Sequence, residues 1–327
     1  MLQSRLEHNT NMASAIPSRS KYRDTDFIVY AVPRSGTSAF VHALNIHPDV
    51  LCGMELDFGQ HVHLAYPDYF AALPQPTEQR RRILAAHLAS KPNPTIIGNK
   101  NPRYFLDFDQ LEGVLVRLPQ LRPIWLYRPA SQFVDSWNRR AANEDPSWHA
   151  GQTGVFALME LLFCLNTTLR LPRPSLVVPY KSLFLTNPDC IRDLFSYFAL
   201  ETPEHVSEAF RANLFQRVQP DKGPATSYDK AERIIAEALE VDALNRLFDQ
   251  PTVFSFDSVR PTVERHVNNV SRRVINRFLG LRRDFTPAQQ EYYAKWQQYP
   301  EVRRSLRGSW LQRTARTILR YAASTRR

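Results

Sequence analysis

Cysteine and glycine are both scarce in this chain of 327 residues. The three cysteines, Cys52, Cys164 and Cys190, stand far apart. That spacing argues against a disulfide scaffold and a cysteine-based zinc site, and it favours a reducing compartment. The ten glycines make up about 3% of the residues, against the ~7% that is usual. A glycine between two regular elements therefore carries more weight here than in most chains.

Long apolar runs are also missing. A membrane-spanning helix needs about 18 apolar residues in a row. The longest candidate, residues 155–165, is shorter and contains Glu160. Residues 1–24 are polar and lack the apolar stretch of a secretory signal. We therefore expect a flexible polar arm at the start of the chain and a cytoplasmic protein.

Acidic residues are absent from residues 303–327, which contain eight arginines. Because these arginines supply most of the formal net charge of +10, residues 1–302 are almost neutral. The basic character of the chain is therefore a property of its end, and it gives no reason to expect a nucleic-acid partner.

The first clear structural unit is a strand, a turn of small residues and a helix. The apolar run FIVYAV at 27–32 predicts a buried strand. The turn PRSGTS follows at 33–38, and a helical pattern then continues until His47-Pro48. This order is typical of a phosphate-binding α/β unit.

Strands and helices continue to alternate up to about residue 200. Strands are predicted at 95–98, 123–127 and 176–180, and helices at 77–90, 107–118, 130–142 and 154–171. The last helix is apolar on most faces, so we expect it to cross the core. The alternation predicts an α/β fold, with a P-loop-like, doubly wound parallel sheet flanked by helices and ending near residue 200.

Beyond residue 200 the patterns are mostly helical, at 203–214, 230–248, 261–279 and 287–299, with a turn-rich segment at 216–229. We therefore divide the chain into four parts. They are a polar arm at 1–24, an α/β core at 25–200, a helical part completing the domain at 201–302, and a basic amphipathic tail at 303–327.

The loop at residues 31–38 predicts an anion site that differs from an ATP-type P-loop. That motif reads G-x-x-x-x-G-K-[ST]. In this loop, Ala31 stands at the position of the first glycine and Thr37 at the position of the lysine. Its only cation is Arg34, two residues before Gly36. The N–H groups at the helix start can hold an anion, and Arg34 can bind it with two hydrogen bonds.

The same loop resembles the 5′-phosphosulfate loop of sulfotransferases that use 3′-phosphoadenosine 5′-phosphosulfate (PAPS). Its Pro-Arg-Ser-Gly-Thr form is most similar to tyrosylprotein and glycan sulfotransferases. The segment from His47-Pro48 to Glu55 is also similar, and the resemblance covers about residues 26–200. It implies that the donor's 5′ end binds at Arg34, Ser35, Gly36, Thr37 and Ser38.

Two further segments resemble the same family. Arg128 follows a core strand and Ser136 stands eight residues later, which resembles the Arg and Ser that bind the 3′-phosphate of PAPS. The family's usual Arg-Asp-Pro is Arg-Pro-Ala at 128–130. Tyr180 ends a predicted strand, and the resemblance implies that it packs near the adenine, with Lys181 standing where the family has Glu.

The resemblance also implies two residues for the chemistry. Glu55 stands where the family's general base stands, and Lys100 where a lysine approaches the transferring sulfonate. The alternatives are a solvated loop Glu and an exposed strand-end Lys. Asp57, His61 and His63 are rivals for the base. Arg217 and Lys222 lie where the family has a basic loop over the cofactor, with a solvated loop as the alternative.

We therefore predict a PAPS-dependent sulfotransferase that needs no metal and acts on an acceptor hydroxyl. A saccharide in a glycan or glycolipid is the first choice of acceptor, and a peptide tyrosine is the second. The alternatives are a P-loop nucleotide kinase and a non-catalytic protein associated with membrane or nucleic acid. The missing P-loop lysine speaks against the kinase. The joint presence of Arg34, Glu55, Arg128 and Ser136 speaks against a protein without catalysis.

The basic tail at 303–327 has its own pattern. Leu306, Trp310, Ile318 and Tyr321 recur at helical spacing among the arginines. Such a helix suits the surface of an anionic membrane. The alternative is that the apolar stripe packs on the body of the protein.

Overall fold

The sheet forms where the sequence has its β-branched and aromatic runs. The computed structural model describes residues 26–54, 91, 94–143, 148–212 and 228–306. Its strands are β1 (Phe27–Tyr30), β2 (Val50–Met54), β3 (Ile96–Lys100), β4 (Arg122–Tyr127), β5 (Leu176–Pro179) and β6 (Phe254–Ser255). They lie in the order β2-β3-β1-β4-β5-β6, and all neighbouring pairs are parallel except β5 and β6.

Helices connect and flank these strands. They are α1 (Thr37–Leu44), α2 (Phe108–Arg117), α3 (Ala130–Ala142), α4 (Gly154–Arg170), α5 (Cys190–Tyr197), α6 (Glu204–Phe210), α7 (Lys230–Leu239), α8 (Val241–Phe248), α9 (Arg260–Leu281) and α10 (Pro287–Trp296). The predicted α/β class, with a parallel sheet and a mostly helical C-terminal part, is confirmed. The predicted arm at 1–24 and the predicted helix at 77–90 lie outside the described residues.

The strand order creates a crevice beside β1. The chain leaves β1 toward β2 and β3 on one side of the sheet, and β4 and β5 lie on the other side. In open α/β sheets, ligands bind at such a switch in strand order, beyond the carboxyl ends of the strands. The segments that follow β1 and β4 at this edge are the loop with Arg34 and the start of α3 with Arg128.

Helix α4 crosses the core, as its apolar pattern predicts. Every residue from 154 to 165 is buried, including the carboxylate of Glu160. Helices α7 and α9 both pack against α4. A helix buried on all sides positions residues that are far apart in the sequence, because each of its faces contacts a different element.

The predicted end of the sheet near residue 200 is wrong. β6 lies beyond α8 and pairs antiparallel with β5, through Leu176 with Ser255 and Val177 with Phe254. A strand of two residues is too short to show a periodic pattern, so it is not predictable from periodicity. The C-terminal part therefore contributes to the sheet as well as to the helical layer.

The single helix predicted at 230–248 is also wrong. The chain breaks at Glu240, which has a left-handed φ of 54°, and α7 and α8 are separate helices. The carbonyls at the end of α7 are bound from α9: Arg273 donates to Ala238 O (2.9 Å), and His266 Nε2 lies 2.9 Å from Leu239 O. Because partners on α9 satisfy these end carbonyls, the break is fixed by tertiary contacts.

The boundary predicted at residue 303 falls within a packed helical segment. Residues 300–306 are helical, and the side chains of Val302 and Leu306 are buried. Arg304 donates two hydrogen bonds to Asp109, at 2.7 and 2.6 Å, and one to Glu301 at 3.2 Å. The start of the predicted tail is therefore attached to α2, while residues 307–327 lie outside the described part. Within the described ranges, no helix is long and apolar enough to cross a membrane.

Candidate functional site

The loop between β1 and α1 has an unusual backbone. Arg34 and Gly36 both have left-handed φ angles, 71° and 87°, and Ser35 lies between them with a negative φ. The Ser35 N–H donates to Val32 O at 3.1 Å, which closes the turn. Turns with left-handed residues can form backbone concavities that bind anions.

Two carbonyls of this loop are held from outside. The indole N–H of Trp137 donates to Pro33 O at 2.7 Å, and Arg128 Nη1 donates to Arg34 O at 3.0 Å. Both donors come from the β4–α3 unit, about a hundred residues further along the chain. These bonds fix the loop backbone before any ligand arrives.

Helix α1 begins directly after this loop. Its N-cap is Gly36, and no side chain caps it. The first N–H groups of a helix have no partner within the helix, and the helix dipole adds positive potential there. The side chains of Ser35 and Thr37 are buried, whereas Arg34 and Ser38 are exposed. Residues 34–38 therefore present a preformed anion site.

Arg34, Arg128 and Ser136 lie together at the crevice. Arg34 Nε donates to Ser136 Oγ at 3.1 Å, and Arg128 Nε donates to Gln132 Oε1 at 3.0 Å. Ser136 lies two turns along α3 from Arg128, so both face the same side. The structure therefore brings together the residues that the family resemblance assigns to the 5′ end and to the 3′-phosphate of the donor.

The ring of Tyr180 closes the site from the side of β5. A Cβ at position 36 would lie 2.4 Å from Tyr180 Cε2, so only glycine allows this approach. The guanidinium of Arg128 lies 4.5 Å from the centre of the same ring, within cation–π range. Tyr180 is thus packed between Gly36 and Arg128.

A cavity of about 310 Å³ lies next to this cluster. Tyr180, Gln132 and Pro129 line one side of it, and Asn245 and Arg246 of α8 line another. Burial raises the pKa of the Tyr127 hydroxyl, which donates to Asn245 Oδ1 at 2.7 Å. Asn245 Oδ1 also accepts the Ala130 N–H at 3.3 Å, so α8 is attached to the start of α3.

Lys100 is the last residue of β3, and only 1% of it is exposed. It lies in register with Val29 of β1 on one side and Met54 of β2 on the other. The alternative of an exposed strand-end lysine is therefore wrong. The buried position places this cation in the sheet edge beside the loop at 31–38.

The predicted base is not among the described residues. Glu55 directly follows Met54, whose register partner is Lys100. Its rivals Asp57, His61 and His63, and the cofactor-loop candidates Arg217 and Lys222, also lie outside the described ranges. Their roles remain predictions. Within those ranges, no three His, Cys, Asp or Glu side chains could share a metal ion.

Three residues at the site were not identified from the sequence. They are Trp137, Gln132 and Asn245. The side chains of Trp137 and Asn245 form hydrogen bonds with backbone atoms more than a hundred residues away in the chain. No local sequence pattern signals such a contact.

Replacing Gly36 with alanine tests the close approach of Tyr180. We expect Gly36→Ala to lower the free energy of unfolding by at least about 1–2 kcal/mol, because the left-handed φ alone costs that much and the methyl group would also overlap the ring. The matched control is Gly113→Ala in α2, where an added Cβ meets nothing within 4 Å. That change should stabilise the helix by about 0.5–1 kcal/mol. Chemical denaturation measures both, and equal effects would contradict this geometry.

The chain is similar to solved bacterial sulfotransferase structures, at low identity. No protein-family model matches it, and neither does any curated protein. A Mycobacterium avium sulfotransferase has 13% identity over 76% of this chain and 82% of its own, with a TM-score of 0.44. The sulfotransferase domain of a Synechococcus olefin synthase has 16% identity over 63% of this chain and 83% of its own, with a TM-score of 0.40. An Alicyclobacillus acidocaldarius sulfotransferase has 12% identity over 70% of this chain and 97% of its own, with a TM-score of 0.41. Because these TM-scores are below 0.5, the function is inferred from the chain's own residues.

Proposed function

We propose that this protein transfers the sulfuryl group of PAPS to an acceptor hydroxyl. The observation that carries the proposal is the convergence of Arg34, Arg128 and Ser136 on the uncapped start of α1. Two guanidinium groups, a hydroxyl and a set of helix N–H groups suit a ligand with two separate anionic groups. PAPS has such groups at its 3′ and 5′ positions.

The donor is placed by matching its charges to these residues. The 5′-phosphosulfate lies against residues 34–38, where the start of α1 at Gly36 has no side-chain cap. The 3′-phosphate lies at Arg128 and Ser136. The nucleoside extends toward the 310 Å³ cavity beside Tyr180, which is of a size to take part of it.

The chemistry is an in-line displacement at sulfur. Glu55 accepts the proton of the acceptor hydroxyl, whose oxygen forms a bond to sulfur while the bond from sulfur to the bridging oxygen breaks. The electron pair of that bond stays on the 5′-phosphate of 3′,5′-diphosphoadenosine. Arg34, Lys100 and the N–H groups of the loop stabilise the charge that develops there, so the step needs no metal.

The acceptor that we propose is a saccharide hydroxyl, with a peptide tyrosine as the second candidate. Both follow from the family resemblance of the Arg34 to Glu55 segment. A nucleotide kinase is the main rival, and Thr37 in place of the P-loop lysine argues against it. Profiling acceptors with labelled PAPS separates the two acceptor classes.

The 3′-phosphate assignment predicts a selective loss of affinity. We expect Arg128→Ala and Ser136→Ala each to weaken 3′,5′-diphosphoadenosine about ten- to hundredfold, because a charge-assisted contact is worth ~1.5–3 kcal/mol. Adenosine 5′-phosphosulfate, which lacks the 3′-phosphate, should lose much less in calorimetric titrations. Arg139→Ala is the matched control, since Arg139 is on the same helix and pairs only with Asp135 at 2.6 Å among the described residues. Equal losses for both ligands would contradict the assignment.

The assignment of the base predicts a loss of rate without a loss of binding. We expect Glu55→Gln to lower kcat about 10²–10⁴-fold, the usual contribution of a general base, while donor affinity stays nearly constant. Asp57→Asn, two residues away, is the control. If Glu55→Gln retains wild-type kcat and His61→Ala or His63→Ala loses it, the histidine is the base.

We also propose that the enzyme is cytoplasmic and that residues 307–327 attach it to anionic membranes. Because Val302 and Leu306 are buried, removing everything after Glu301 would disturb the fold. The proper comparison is therefore the full chain against a chain that ends at Leu306. Only the full chain should sediment with anionic liposomes, and raised salt should release it. Equal sedimentation of both chains would show that the tail is not the attachment.

A further inference from the structure

A buried ion pair joins the segment after β3 to helix α4. Arg103 donates to both carboxylate oxygens of Glu160, Nε to Oε2 at 3.2 Å and Nη2 to Oε1 at 3.0 Å. Glu160 has no exposed surface and also accepts the Trp296 indole N–H at 3.2 Å. Arg103 Nη2 donates in addition to the Tyr292 hydroxyl at 2.9 Å. The pair thus joins α4 and α10 to the segment after β3.

Burial makes this pair sensitive to the loss of either partner. Burial raises the pKa of Glu160, and the Arg103 guanidinium opposes that shift. A buried charge left without its partner is strongly destabilising, so the two side chains stay together and hold their geometry. A fixed guanidinium can in turn hold whatever packs against it.

The side chain that packs against Arg103 is Trp137. The Arg103 guanidinium lies 5.6 Å from the centre of the Trp137 ring, which is fully buried. The indole N–H of the same ring donates the bond to Pro33 O, at 2.7 Å. The orientation of Trp137, and with it the position of the Pro33 carbonyl, therefore depends on Arg103.

The backbone next to Arg103 is attached to the same loop. Pro102 O accepts the Ala31 N–H at 3.1 Å, and the Asn101 N–H donates to Val29 O at 3.1 Å. Lys100 directly precedes these residues in the chain. A shift of Arg103 would therefore move one contact of the loop, one contact of β1 and the segment that carries Lys100.

We infer that Glu160, Arg103 and Trp137 form a positioning relay that sets the shape of the loop at 31–38 and, through it, the affinity for the donor. None of the three touches the donor as we place it. The inference about affinity rests on the proposed function, whereas the inference about loop shape does not. The relay would explain why a carboxylate is retained in the middle of an otherwise apolar helix.

The last link of the relay is tested with Trp137→Phe. Phenylalanine keeps a ring against Arg103 but lacks the N–H that binds Pro33 O. The matched control is Trp148→Phe: Trp148 packs edge-on against Trp137 with ring centres 5.1 Å apart, and its own N–H binds Gln152 O at 3.1 Å instead of the loop. Both variants lose one indole hydrogen bond in the same aromatic cluster.

The first link is tested with Glu160→Gln, and its control is Glu301→Gln. Glu301 is also a buried carboxylate, and it forms an ion pair with a residue of α4. It accepts two hydrogen bonds from Arg170, each at 3.0 Å. That pair lies at the last residue of the helix, ten residues beyond Glu160. If Glu160→Gln fails to fold, the comparison of Trp137→Phe with Trp148→Phe still decides the question.

Hydrogen exchange is the first readout, measured well below the unfolding temperature on peptides that cover residues 31–40. We expect exchange to accelerate about two- to tenfold in Trp137→Phe, as the loss of one net hydrogen bond implies. Glu160→Gln should accelerate it as well, and neither control should. If all four variants exchange alike in this segment, the residues stabilise the fold only, and the relay is refuted.

Donor affinity is the second readout, measured by calorimetry with 3′,5′-diphosphoadenosine. Trp137→Phe should weaken it about two- to tenfold, and Trp148→Phe should leave it unchanged. Faster exchange with unchanged affinity would refute the link from loop shape to affinity. If the wild-type chain does not bind this ligand at all, the proposed function fails, while the exchange comparison still decides whether the loop depends on the relay.

Discussion

The shape of residues 31–38 is the constraint on which the rest of the site depends. The left-handed φ of Arg34 is costly for a chain that must hold it without a ligand, and three side chains contact this loop. Trp137 binds the Pro33 carbonyl, Arg128 binds the Arg34 carbonyl, and the Tyr180 ring lies against Gly36. These contacts bind two of the loop carbonyls, while no side chain caps the N–H groups at the start of α1. The binding geometry is therefore present before binding.

The topology of the sheet explains how such distant residues meet. β1 is central, with β3 on one side and β4 on the other. The carboxyl ends of these parallel strands carry the loop, Lys100 and Arg128 to a single edge. β5 adds Tyr180, and α8 closes the far side of the adjoining cavity through Asn245. Helix α4 is also attached to this edge, because Glu160 binds Arg103, which lies after β3. Each of these elements also contributes residues to the hydrophobic core.

Local patterns predicted the elements whose structure is decided locally. The run at 27–32, the turn around Gly36 and the helix at 130–142 follow from periodicity and small residues, and Arg34 is the only cation of that turn. The candidates Arg128 and Ser136 follow from the family resemblance. Features decided by distant partners were missed. The break at Glu240 depends on Arg273 and His266 of α9, and β6 is only two residues long. Burial of Lys100 depends on strands to either side, and the bond from Trp137 to Pro33 spans 104 positions.

The central claim is that this edge binds a nucleotide with separate 3′ and 5′ anionic groups, and not a magnesium-bound triphosphate. Calorimetric titration of the wild-type chain with 3′,5′-diphosphoadenosine, and separately with ATP in the presence of Mg²⁺, tests it most directly. Because Arg128 and Ser136 provide a second anion site and Thr37 replaces the P-loop lysine, the account predicts the tighter binding for 3′,5′-diphosphoadenosine. Tighter binding of ATP with Mg²⁺ would contradict it and would favour the kinase instead.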